Sequence, residues 1–112
     1  MVLDELVSNI SIDELLLHDG LHADHPEIWL CVNGKVFDVT RGRSFYGPGG
    51  GYAAFAGRDA TRALAKMDTG AATRTYAVVS DLTEEEINTA KHWEATFAGK
   101  YQFVGTLAPQ AN

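Results

Sequence analysis

Two tyrosines, Tyr46 and Tyr52, bracket the run Gly47-Pro48-Gly49-Gly50-Gly51, and the chain then runs on into a helical pattern. Glycines ahead of a helix can present backbone N–H groups to an anion. A phosphate loop, however, needs Lys-Ser/Thr after its last glycine, and a dinucleotide fingerprint needs a βαβ unit; here Tyr52 follows the run. A turn that needs positive φ explains the glycines and leaves both tyrosines without a role. Tyrosine chemistry offers one: a phenolate is a hard anionic oxygen that can hold haem iron and favours the ferric state. A turn without bulky side chains would let a flat macrocycle approach the backbone. Lys100-Tyr101 pairs an ammonium with a phenol, two donors that suit a carboxylate. Spacing alone leaves haem behind the plainer reading of a tight turn with surface tyrosines.

The other chemistry-bearing residues point less far. His18, Asp19, His22, Asp24 and His25 make a local cluster with metal-ligand types, but Gly20 and the polar composition make it a loop, and a solvated loop is the default there. His92, beside Trp93 in a helical pattern, reads as a surface or boundary residue. Cys31 lies in the apolar run IWLCV, where a buried thiol behaves as a small hydrophobe. No spacing suggests a Ser-His-Asp or Cys-His pair, although the members of a triad need not be adjacent in sequence.

The elements that must position these residues can be read from period and caps. Ser11 and Glu14 form a capping-box pattern before Ile12, Leu15 and Leu16, with Asp19-Gly20 as the stop. IWLCV and KVFDVT, joined by Asn33-Gly34, predict a hairpin. Asp59 is the expected cap of a helix over 60–67, with Ala60, Leu64 and Met67 on one face. Residues 68–79 read as irregular chain. Thr83 and Glu86 open the longest helix, in which Ile87, Ala90, Trp93 and Phe97 recur at helical spacing. YQFVGTLA alternates as a short strand. The order is helix, hairpin, short helices, long helix, strand: an α+β domain over 11–107, with an extension at 1–10 and a tail at 108–112.

At 112 residues, 46% of them hydrophobic, the chain can bury one core. A net charge of −6 argues against nucleic acid as a partner, because phosphate neutralisation needs clustered Lys and Arg. The first twenty residues carry neither a basic n-region nor a long apolar run, so the expectation is a soluble chain with no secretory signal.

Taken together, VNGKVFDVTRGRSFYGPGGGYAAFAGRDATRALA (32–65) and SDLTEEEINTAKHWEATFAGKYQFVG (80–105) resemble the membrane-associated progesterone receptor family, whose domain is the cytochrome b5-like haem/steroid-binding domain. The resemblance implies the cytochrome b5-like α+β fold: a small mixed sheet, several short helices and one longer C-terminal helix. It implies a non-enzymatic module with haem b as cofactor and Tyr52 as the single axial ligand of a five-coordinate ferric iron. Tyr46, Lys100 and Tyr101 fall at positions that serve the haem propionates, and Asp59 at one associated with ligand binding, beside its reading as a helix cap. Two-histidine electron carriage is disfavoured, since Tyr-Gly-Pro-Gly-Gly stands where cytochrome b5 has His-Pro-Gly-Gly. Further implications are a haem-dependent homodimer, steroid or other lipid ligands, and cytochrome P450 enzymes as partners. If the chain is cut from an anchored parent, its place would be the cytosolic face of the endoplasmic reticulum. The alternative is a steroid- or lipid-binding or protein-interaction domain with little haem affinity.

Overall fold

The structure, a computed structural model, describes residues 9–110. Residues 1–8 of the expected extension, with the reading of them as neither signal nor membrane span, and residues 111–112 of the expected tail lie outside the described residues.

Asn33-Gly34 forms the predicted hairpin turn, with both residues at positive φ (53° and 78°), as a two-residue turn between twisted strands requires. It joins β2 (Trp29–Val32) to β3 (Lys35–Asp38), antiparallel, with Trp29 opposite Asp38 and Val32 opposite Lys35. The last strand, β4 (Gln102–Leu107), pairs antiparallel with β3 across an irregularity at Val36/Phe37. On its far side it takes a parallel strand that the sequence pattern did not announce, β1 (Asn9–Ile10). The sheet is therefore mixed, in the order β1-β4-β3-β2. β1 is two residues long, and its pairing with residues about 97 positions away leaves no local periodicity to read.

Both faces of the sheet are covered, which explains why β2 is an unbroken apolar run and not an alternating one. On one face Ile10, Leu15, Cys31 and Val36 pack together under α1 (Ile12–Leu17). On the other, Leu30, Val32 and Phe37 meet Leu64 of α3 (Thr61–Lys66), Phe97 of α4 (Glu84–Lys100), and Tyr46 and Tyr101. The long helix is fixed at its start by a full capping box, Thr83 Oγ1 accepting from the Glu86 N–H (3.1 Å) and Glu86 returning the bond to the Thr83 N–H (2.9 Å). Three acids in its first turn suit the positive end of its dipole. Salt bridges Lys66–Glu86 (2.9 Å) and Lys35–Glu94 (2.7 Å) tie α4 to α3 and to the hairpin.

Three local expectations are corrected. Ala60, not Asp59, occupies the cap position of α3 and makes no side-chain bond there; the Asp59 carboxylate reaches the Thr61 N–H from one residue upstream (3.2 Å). Met67 is not on the buried face of that helix: it is the left-handed C-cap (φ 54°) and 70% exposed. The histidine segment is not uniformly solvated, because His18 is buried and stacks on the Trp29 ring at 3.6 Å, with Nδ1 on the Glu14 carbonyl.

Candidate haem and steroid site

A one-turn helix, α2 (Arg43–Tyr46), ends at Gly47, and the glycine run folds back over it. Gly50 donates to the Gly47 carbonyl (2.9 Å), and Tyr52 donates its N–H to the Phe45 carbonyl (2.8 Å). The backbone crosses itself so closely that a Cβ on Gly50 would overlap the Phe45 carbonyl, and Gly49 takes φ 84°. These two glycines are thus required by the turn itself. Gly51, beside Tyr52, faces open space.

The turn sends its two tyrosines to different places. Tyr46 points inward and is buried against Phe97 and Tyr101, with ring centroids 6.2 and 6.3 Å away. Burial first, then the neighbouring Tyr101 and Tyr52 phenols, push its pKa up to about 12, so at neutral pH it is a neutral phenol that can donate a hydrogen bond. Tyr52 precedes a 3-10 turn at Ala53–Phe55, stacks on Phe55 (5.8 Å, 15°) and stays 48% exposed. The Tyr46 and Tyr52 rings lie 6.3 Å apart. Between them and the helices opens a cleft of about 190 Å³ whose other walls include Phe55, Leu64, Met67 and Trp93.

Tyr101 connects this cleft to a second hollow. Its ring touches Tyr46 on one side, and on the other it lines a surface depression with Arg41, Lys100, Thr40 and Asp38. The Lys100 ammonium sits 5.5 Å from the centre of the Tyr101 ring. Of the four residues singled out from sequence, Tyr46, Tyr52 and Tyr101 are brought into one chain of rings, while Lys100 stands over the next hollow. Arg41 was missed: it belongs to no motif, and only tertiary structure brings it to Lys100, 59 residues on.

The remaining candidates are accounted for structurally. Asp59 is buried, its Oδ1 accepting from Thr61 Oγ1 (2.6 Å) and the Thr61 N–H, its Oδ2 from the Ala77 N–H (3.0 Å). Burial, with the Asp59 charge second, pushes the Cys31 thiol far up, leaving it an inert core residue. His22, half-exposed, pairs with the largely buried Asp19 carboxylate (3.0 Å). His92 lies on the exposed face of α4. Among the described residues no three His, Cys, Asp or Glu side chains gather as a metal site, and no helix is long and apolar enough to cross a membrane.

A mixed sheet backed by short helices and closed by one long helix, with an aromatic cleft at the glycine turn, defines a cytochrome b5-like ligand-binding domain. Residues 11–107 match the family described as Cytochrome b5-like Heme/Steroid binding domain, and the chain belongs to it, on its membrane-associated progesterone receptor branch. It is 46% identical over 101 residues to human Membrane-associated progesterone receptor component 2, covering 88% of this chain and 44% of that one. It is 43% identical over 101 residues to Membrane steroid-binding protein 2 of Oryza sativa subsp. japonica, covering 90% of this chain and 37% of the relative. The chain thus spans less than half the length of these two relatives. A solved hypothetical protein of Arabidopsis thaliana, described as having a cytochrome b5 like fold, superimposes with a TM-score of 0.79 at 40% identity, over 92% of this chain and 93% of that one. These relatives are named as receptors and steroid-binding proteins, not as enzymes.

Proposed function

We propose that this domain binds ferric haem b through Tyr52 as its single protein ligand, with Tyr46, Lys100 and Tyr101 as partners of the propionates. One observation carries the reading: a half-exposed phenol stands on the rim of an apolar cleft, with two buried phenols behind it. The donor set suits the group. Tyr52 offers the hard anionic oxygen that ferric iron prefers, Phe55, Leu64 and Trp93 offer apolar and aromatic wall to a macrocycle, and Lys100 offers a cation to a carboxylate. The bound group would supply a Lewis-acidic ferric centre of low potential, since phenolate stabilises the oxidised state. Tyr46, held neutral, can donate a hydrogen bond to a propionate and carries no competing negative charge beside the ligand oxygen. Phe55 stacks on the Tyr52 ring and holds the phenol at the cleft mouth.

The cleft is smaller than the roughly 300–1,000 Å³ of sites that engulf small molecules. A ligand seated here keeps one face exposed, which suits pairing of two protomers through that face. In the cell the module would regulate or support partners such as cytochrome P450 enzymes, in the cytoplasm or at the cytosolic face of the endoplasmic reticulum, as the family resemblance implies.

An absorption titration with ferric haem tests the ligand. The native chain gives a high-spin ferric spectrum with a phenolate charge-transfer band, and Tyr52→Phe loses it; unchanged spectra in the variant sink the assignment. A second reading, a steroid or lipid site with little haem affinity, is favoured by the apolar cleft wall and the names of the plant relatives. Uptake of sterol with no response to haem would establish that reading in place of the first.

A further inference from the structure

The end of α4 is held by a residue that belongs to no motif. Lys100 is the last residue of that helix, and its carbonyl is among the four at a helix C-terminus that have no partner within the helix. Arg41 Nη2 donates to it at 2.6 Å, placing a cation at the negative end of the helix dipole. The next residue, Gly42, lies against the Tyr101 hydroxyl so closely that a Cβ there would stand 2.5 Å from it and 3.1 Å from the Tyr46 ring. Arg41-Gly42 therefore touches the Lys100 backbone, the Tyr101 phenol and the Tyr46 ring at once. The Arg41 side chain also lines the same hollow as Lys100 and Tyr101.

We infer that Arg41 is a positioning residue for a ligand carboxylate: by clamping the Lys100 carbonyl it fixes where the Lys100 ammonium and Tyr101 phenol stand. This rests on the haem reading above and deepens it, assigning to residues 41–42 the selectivity for a carboxylate-bearing ligand over the same ligand with its carboxylates capped. Arg41 is exposed, so its truncation leaves the core intact. The clamp works on geometry and charge at the carboxylate end, not on the iron-facing oxygen of Tyr52.

The test titrates the native chain, Arg41→Ala and Arg41→Lys with ferric haem and with its dimethyl ester, and follows amide hydrogen exchange in the ligand-free proteins. Arg41→Ala is expected to bind ferric haem about tenfold more weakly, the scale of one charge-assisted hydrogen bond. It should bind the ester as the native chain does and keep the charge-transfer band. The Tyr101 N–H, bonded to the Phe97 carbonyl at 2.8 Å, should exchange faster in Arg41→Ala. Arg41→Lys, which can still donate to the carbonyl, should recover most of the affinity. Equal weakening of haem and ester, or no change in either, overturns the inference while leaving Tyr52 ligation standing. A native chain that prefers the ester or ignores both ligands overturns the inference. In contrast, a missing charge-transfer band with the haem–ester contrast intact condemns only the Tyr52 assignment.

Discussion

Tyr46 and Tyr52 share a residue type and flank the same five-residue run, yet one is 9% exposed and the other 48%. That difference divides the labour between them. A buried phenol is held neutral, because ionising it would cost desolvation against two neighbouring rings. A rim phenol has solvent and cleft before it and can offer its oxygen to a metal. The sign of the Tyr46 effect follows from linkage: its folded pKa, about 12, lies above the unfolded tyrosine value of about 10. The stability it contributes is fully present below about pH 10 and is lost as pH rises towards about 12. Denaturation midpoints of the native chain and Tyr46→Phe should therefore converge or cross as pH is raised through that window. Parallel pH profiles for the two proteins would show that Tyr46 does not titrate as placed.

At the scale of elements, Asp59 does more than begin a helix. Its carboxylate joins the start of α3 to the Ala77 N–H in the irregular segment between α3 and α4, where residues 58–60 also run beside Cys31 of β2. The same segment is held by Arg62 on the Val78 carbonyl (3.0 Å) and by the Tyr76 hydroxyl on the Ala108 carbonyl (2.6 Å). Asp59→Ala leaves buried donors unpaired and should cost about 2–3 kcal/mol in urea denaturation. Asp59→Asn, which keeps an acceptor oxygen, should cost less. A loss below about 0.5 kcal/mol in the alanine variant would mean that water replaces the carboxylate and the segment is not fastened there. Any loss of ligand binding in Asp59 variants is then expected to track stability, since both carboxylate oxygens are already engaged within the protein.

Over the whole molecule, one core on each face of the sheet holds the rigid platform, and the site lies at one end of it, where the glycine turn meets the last turn of α4. Beside the exposed Tyr52, Phe45 is 50% and Met67 70% exposed, large apolar groups on a chain that otherwise carries a net charge of −6. On the haem reading proposed above, a ligand filling the shallow cleft would add its own open face to the apolar area that two such faces bury on meeting. Sedimentation should accordingly give a monomer without haem and a dimer with it. The same oligomer under both conditions would end the idea of a haem-dependent homodimer.

How much of this was legible beforehand depended on whether the signal was local. The hairpin at Asn33-Gly34, the full capping box at Thr83, the single Ser11 cap bond to the Glu14 N–H and the stripe of Ala90, Trp93 and Phe97, from which the expected Ile87 is left exposed, are set by interactions within a few residues, so most of their pattern could be read directly. The glycines of 49–51 marked the turn and its two tyrosines for the same reason. What the chain order could not reveal were contacts between distant segments: β1 against β4, His18 stacked under Trp29, Asp59 fastening Ala77, and Arg41 on the Lys100 carbonyl. The sequence by itself determined the hairpin, the long helix with its Thr83 cap, and the glycine turn that carries the two tyrosines. Only the tertiary structure decided which tyrosine is buried and which faces the cleft, because burial belongs to the packed assembly and not to any stretch of chain.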